Sequence, residues 1–147
     1  MRSPILLLAA LAAFIVAACS GGATAPTRAA SLRVAISPNP LKSAPMGNPI
    51  FYDAVWSEVA GVGVTMKSDS ARLVDASGNV LPGQVNGCFT GPPCPSGPLY
   101  IGANNSFVVS GRAVMVVSAP PVRLDYSAEG VDDNGHTVSV SLQVPVQ

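Results

Sequence analysis

Residues 122–144 read VRLDYSAEGVDDNGHTVSVSLQV, and their alternation decides the fold class. In the first half Val122, Leu124, Tyr126 and Ala128 share one face, with Arg123, Asp125, Ser127 and Glu129 on the other. In the second half Val138, Val140, Leu142 and Val144 alternate with Thr137, Ser139, Ser141 and Gln143. A period of two places successive side chains on opposite faces of a strand, so each half is a strand with one apolar side. Between them GVDDNG carries Asp, Asn and Gly, the residues of a tight hairpin closed by a glycine at positive φ.

The same pattern extends toward the N-terminus. SLRVAIS (31–37) sets Leu32, Val34 and Ile36 on one face and stops at PNP, where Pro38 and Pro40 cannot donate to a ladder. IFYDAVWSE (50–58) turns Tyr52, Ala54 and Trp56 inward, with Asp53 and Ser57 marking its outer face. GVGVTM and ARLVD follow as further strands, then a turn at Ala76-Ser77-Gly78-Asn79. After a Pro/Gly-rich insertion come LYIGA, SFVVSG and RAVMVVSA, the last a continuous apolar run that reads as a buried strand. No stretch beyond residue 19 keeps a 3.6-residue apolar period over helical length. Seven to nine short strands with one-sided alternation specify a single all-β domain, an antiparallel β-sandwich over residues 31–147.

Composition bounds what such a domain does. The 147-residue chain is 48% hydrophobic and 11% charged, which excludes a disordered charged tail protein. Beyond residue 18, seven Lys/Arg stand against eight Asp/Glu, a net charge of −1, and the basic residues never cluster. A nucleic-acid footprint therefore has no support.

The N-terminus supplies an address. Arg2 gives a positive start, and ILLLAALAAFIV (5–16) gives an apolar run of twelve residues, short of the roughly twenty that span a bilayer. It ends in Val16-Ala17-Ala18-Cys19, which resembles the lipobox of bacterial lipoproteins. The resemblance implies cleavage of residues 1–18 as a signal peptide, acylation of Cys19, and anchoring of the mature chain in the bacterial cell envelope. Ser20 after the cysteine resembles the pattern that sorts enteric lipoproteins to the outer membrane. Two readings compete: cleavage after Ala18 by an ordinary signal peptidase, releasing a soluble protein, and an uncleaved anchor. Residues 19–30 form the lipid-bearing tether, whose SGGATAPTRAA (20–30) has nothing to bury and reaches at most about 35–40 Å.

Residues 31–147 resemble the immunoglobulin-like or fibronectin-III-like domains of bacterial envelope proteins. The SPNP turn, the tryptophan strand, GVGVTM and the closing hairpin carry that resemblance. It implies an Ig-like sandwich that binds protein or glycan, or acts as a spacer, and it transfers no site residues. The antibody-type Cys…Trp…Cys framework is absent, because the cysteines fall elsewhere.

With Cys19 acylated, Cys88 and Cys94 in GCFTGPPCPSG remain as an even pair in an oxidising compartment, and a local disulfide is the expectation. Free thiols, a metal site and a redox pair are the alternatives. The last two lack, respectively, further nearby ligands and a Cys-x-x-Cys spacing. His136 is the only imidazole and no Gly-x-Ser-x-Gly is present, so no enzyme, cofactor or metal is expected. Asp132, Asp133 and Asn134 are the residues that could hold calcium, although the EF-hand order is not met. The expected function is a non-enzymatic binding or adhesion module for protein or glycan, lipid-tethered at Cys19. The alternative is an assembly lipoprotein whose edge strand pairs with a larger envelope complex.

Overall fold

A computed structural model describes residues 27–83, 85–88 and 99–147. It contains eight strands among the described residues: β1 Leu32–Ser37, β2 Pro49–Glu58, β3 Val64–Val74, β4 Val85–Cys88, β5 Leu99–Ile101, β6 Ser106–Met115, β7 Arg123–Asp132 and β8 Thr137–Pro145. They form two antiparallel sheets, one ordered β1-β2-β6 and one ordered β4-β3-β7-β8, with β5 also pairing β3. Between the sheets β1 lies against β8, β2 against β5 and β6 against β3. The chain is an all-β antiparallel sandwich.

The core is the sum of the inward faces. Tyr52, Ala54 and Trp56 of β2 are buried against Leu124, Tyr126 and Ala128 of β7 and Val138 and Val144 of β8. The closing hairpin follows its sequence: Gly130 pairs with Val138, the Asp132 amide donates to the His136 carbonyl, and Gly135 sits at φ 85°. The turn after β3 is likewise as read, with the Asp75 carboxylate accepting from the amides of Ser77 and Asn79 and Gly78 at φ 86°.

Three strand readings and the placement of Val122 are corrected. GVGVTM and ARLVD are not two strands but parts of the single strand β3, with a register shift between Met66 and Ser68. Lys67 is the extra residue. Before it Val64 and Met66 face inward, and after it Asp69, Ala71 and Leu73 do. Opposite the bulge stands Gly130, where a Cβ would come within 2.7 Å of Val64 and 2.9 Å of the Thr65 carbonyl. SFVVSG and the first residues of RAVMVVSA are likewise one strand, β6, bulged at Ser110-Gly111. Gly111 adopts φ 70° and donates its amide to the Asp53 carboxylate. Nor is this apolar run a buried strand. β6 is the outer strand of a sheet whose outer face carries no further layer among the described residues, so Val114 and Val116 are buried while Met115 and Val117 are exposed. The last correction is Val122, expected inward and found exposed just before β7.

Candidate binding face and the anchored end

The bulges place one charged pair inside. Without the extra residue in β6, Arg112 would face solvent; with it, Arg112 stands opposite Tyr52 on the inner side. The Lys67 bulge does the same for Asp69. The two meet across the sandwich, Arg112 Nη2 donating to Asp69 Oδ1 at 2.9 Å, with the Asp69 side chain fully buried. Tyr126 donates its hydroxyl to Asp69 Oδ2 at 2.5 Å. Burial and this bond push the Tyr126 pKa up. Tyr126 also packs edge-on against Tyr52, ring centroids 6.3 Å apart. The Tyr52 hydroxyl is buried beside Arg112 without a hydrogen bond of good geometry. This cluster ties one sheet to the other, with Asp69, Tyr52 and Tyr126 buried between them, and its role is structural.

Two further buried carboxylates fasten the start of the domain. Glu58, at the end of β2, accepts from the amides of Ser31, Ala60, Gly61, Val62 and Asn104 at 2.6–3.2 Å. Burial alone would raise its pKa, but the amide donors hold it down at about 2. Asp132, at the end of β7, accepts from the amides of Ala30, Asn134 and His136 and lies 3.1 Å from His136 Nδ1. Here too burial opposes ionisation and the donors prevail, at about 2. Asn134 Nδ2 donates to the Arg28 carbonyl. Among the described residues the domain's contacts thus reach back to Arg28, inside the expected 19–30 tether, and residues 28–31 lie at this end of the sandwich.

This arrangement decides what the loop around Asp132 can do. Both Asp132 oxygens are engaged by the protein itself, and the Asp133 carboxylate accepts from the Tyr100 hydroxyl at 2.9 Å. A Cβ at Gly63 would overlap both partners of that bond. Of the candidate calcium ligands, Asp132 thus has both oxygens, and Asp133 one, taken by backbone and side-chain donors. Among the described residues no cluster of three His, Cys, Asp or Glu could hold a metal. His136 has a carboxylate neighbour but no serine hydroxyl among its described partners.

The two outer faces differ in chemistry. The five-stranded sheet presents Ser68, Ser70, Ser127, Glu129, Ser139 and Ser141 around a shallow polar depression, with Ser70 and Ser127 hydroxyls 3.0 Å apart. The three-stranded sheet presents Pro49, Phe51 and Val55 of β2 beside Met115, Ala113 and Val108 of β6. Phe51 is 63% exposed and Val108 52%. Asp53 interrupts this strip but is held by the Gly111 amide. Sequence reasoning missed this face; the signal was the apolar residues at the outward positions, Phe51 and Val55, which blurred the alternation of that strand. A glycan platform would need a contiguous exposed aromatic patch involving Tyr100, Phe89 or Phe107; Tyr100 lies on β5 and Phe107 on β6, in different sheets.

Cys19, Cys94 and Phe89 lie outside the described residues, so neither the acylation site nor the Cys88–Cys94 disulfide is addressed by the structure. The backbone of Cys88 closes β4 opposite Ser68. No helix among the described residues is long and apolar enough to cross a membrane.

No family model matches the chain, and no curated protein matches it in sequence. Solved structures do share its fold. Northeast Structural Genomics Consortium target SoR45 is similar with a TM-score of 0.53 and 11% identity, over 79% of this chain and 87% of that one. A candidate ApaA protein of Bordetella pertussis is similar with a TM-score of 0.50 and 14% identity, over 83% of this chain and 93% of that one. At these identities the likeness is one of fold, and the chain is a sandwich of the kind those two proteins adopt.

Proposed function

We propose that the protein is a non-enzymatic binding module of the bacterial cell envelope, acylated at Cys19, that engages a protein partner through its three-stranded sheet. The observation that carries the reading is the apolar strip of exposed Phe51, Val108 and Met115 around half-buried Val55, on a sheet face that nothing covers among the described residues. Apolar surface of this kind, rimmed by polar groups such as the Ser57–Ser106 hydroxyl pair, suits a protein–protein contact. A glycan site is less well supported, because Tyr100 and Phe107 do not form one platform. The strand order, β1-β2-β6 in one sheet and β4-β3-β7-β8 in the other, supports the immunoglobulin-like or fibronectin-III-like reading. The lipobox supports a membrane anchor, and Ser20 after Cys19 supports the outer membrane. Entry of the chain at the Glu58/Asp132 end would leave the sheet faces free of the tether.

A second reading, assembly into a larger envelope complex, draws on β6, a ten-residue strand at one edge of the three-stranded sheet. Affinity capture from native membranes with the full chain and with Phe51→Glu/Val108→Glu tests the leading proposal. A partner recovered by the wild type and lost from the variant, with the β-sheet spectrum unchanged, supports it. Equal recovery by both assigns the partner to another surface.

A further inference from the structure

The apolar strip continues past the ends of β2 and β6. Just before β2 the chain turns at Pro45-Met46-Gly47-Asn48, where the Asn48 amide donates to the Pro45 carbonyl and Gly47 takes φ 84°. The Gly47 amide donates to the Val116 carbonyl and the Val116 amide to the Asn48 carbonyl, so the turn is fastened to the residue that follows β6. At its tip stands Met46, 68% exposed, the most exposed large apolar side chain among the described residues. The same end is closed to an added strand. Gly83 lies against β6 there, and a Cβ on it would come within 3.1 Å of the Met115 carbonyl oxygen. The bulge at Ser110-Gly111 interrupts the ladder further along.

A partner therefore meets this surface through side chains rather than through a backbone ladder. The outer face of a sheet offers no free amide or carbonyl, because these are spent in the plane of the ladder. A segment laid over Phe51, Val108 and Met115 must satisfy its own backbone, which an α-helix does and an extended segment does not. The dimensions agree. The strip is two strands wide, about 5 Å between them, and on β2 it runs six residues from Pro49 to Val55, about 20 Å. One helix about 10 Å across covers that with about 13 residues. Charge is sparse on this face: Asp53 accepts from the Gly111 amide, and exposed Arg33 stands opposite Ser57 at the Glu58 end. We infer, resting on the proposal that this face is the binding surface, that its occupant is an amphipathic α-helix of the partner protein. Its apolar stripe lies along β2 and β6, Met46 grips it at one end, and an acidic residue meets Arg33 at the other.

A photo-crosslinking residue is placed at Met115 and, separately, at Val108 of the full chain in living cells, and the adducted partner residues are identified by mass spectrometry. These positions pair with Pro49 and Val55, six residues apart, so a helix should place the two adducts about 13 residues apart in one partner segment, and an extended segment about 6. A spacing near 6, or adducts in unrelated segments, overturns the helix and leaves the binding face standing. No protein adduct from either position removes the face and the helix together. Met46→Glu should cut the adduct yield at Met115 roughly tenfold, and Arg33→Glu should cut that at Val108 several-fold. Unchanged yields in both variants, each retaining its β-sheet spectrum, overturn the placement of the helix.

Discussion

Replacing Arg112 with Met asks how much the two bulges matter. The Arg112 side chain is 13% exposed and that of Asp69 is fully buried, so removing the guanidinium strands a carboxylate whose one remaining side-chain donor is Tyr126. Breaking a buried pair from one side costs about 3–5 kcal/mol. Tyr126→Phe leaves the ion pair intact and removes one bond to a charged acceptor, for about 1.5–3 kcal/mol. Asp69→Leu/Arg112→Met removes both charges and fills their space, so the double variant should lie well above the sum of its singles and close to wild type. Urea unfolding of residues 27–147, extrapolated linearly, reads wild type, Arg112→Met, Asp69→Leu, Tyr126→Phe and the double variant on one scale. Against a typical total of about 5–15 kcal/mol, the Arg112→Met loss should move the midpoint plainly. A cost below about 1 kcal/mol, or a double variant equal to the sum of the singles, would refute the claim that the bulges bury a coupled pair.

Other outcomes follow from the same structure. The Glu58 and Asp132 pKa values are depressed to about 2, so their contribution is complete above the unfolded-state values near 4 and is lost as pH falls from about 4 toward 2. Melting temperature should drop across that window, and Glu58→Gln/Asp132→Asn should flatten the acid limb; an unchanged limb would contradict the clamp. Cys19→Ser should abolish labelling by fatty acid, and equal labelling of the mutant would exclude the lipobox reading. Cys88→Ser/Cys94→Ser should lower the melting temperature modestly, at or below a loop-entropy contribution of about 2.4 kcal/mol, and keep the β-sheet spectrum. Mass spectrometry should find one bond within a peptide spanning the two cysteines, and free thiols would overturn the pairing.

The hairpin of β7 and β8 was fully legible, because its alternation is unbroken from Leu124 to Ala128 and from Val138 to Val144 and its turn carries Asp, Asn and Gly. The long strands β3 and β6 were not, because one inserted residue reverses the inner and outer sets, and a reversal of period looks like an end. Restarting the alternation after Lys67 and after Gly111 would have turned Asp69 and Arg112 inward together, an opposite-charge pair at core positions. Glu58 and Asp132 escaped for another reason. A carboxylate at a strand end looks solvated until the loops that donate to it are folded around it, and those loops come from residues 28–31, 60–62 and 104. The apolar face was hidden because exposure depends on whether a further layer covers a sheet, which alternation along one strand does not encode.

The central claim, that the three-stranded sheet is the binding surface of the anchored protein, is tested most directly by a photo-crosslinking residue placed at Phe51 and, separately, at Ser139 of the full chain in living cells. The account predicts a discrete protein adduct from position 51 in the membrane fraction and none from position 139. Adducts from position 139 alone would contradict it, since they would move the contact to the serine face of the opposite sheet.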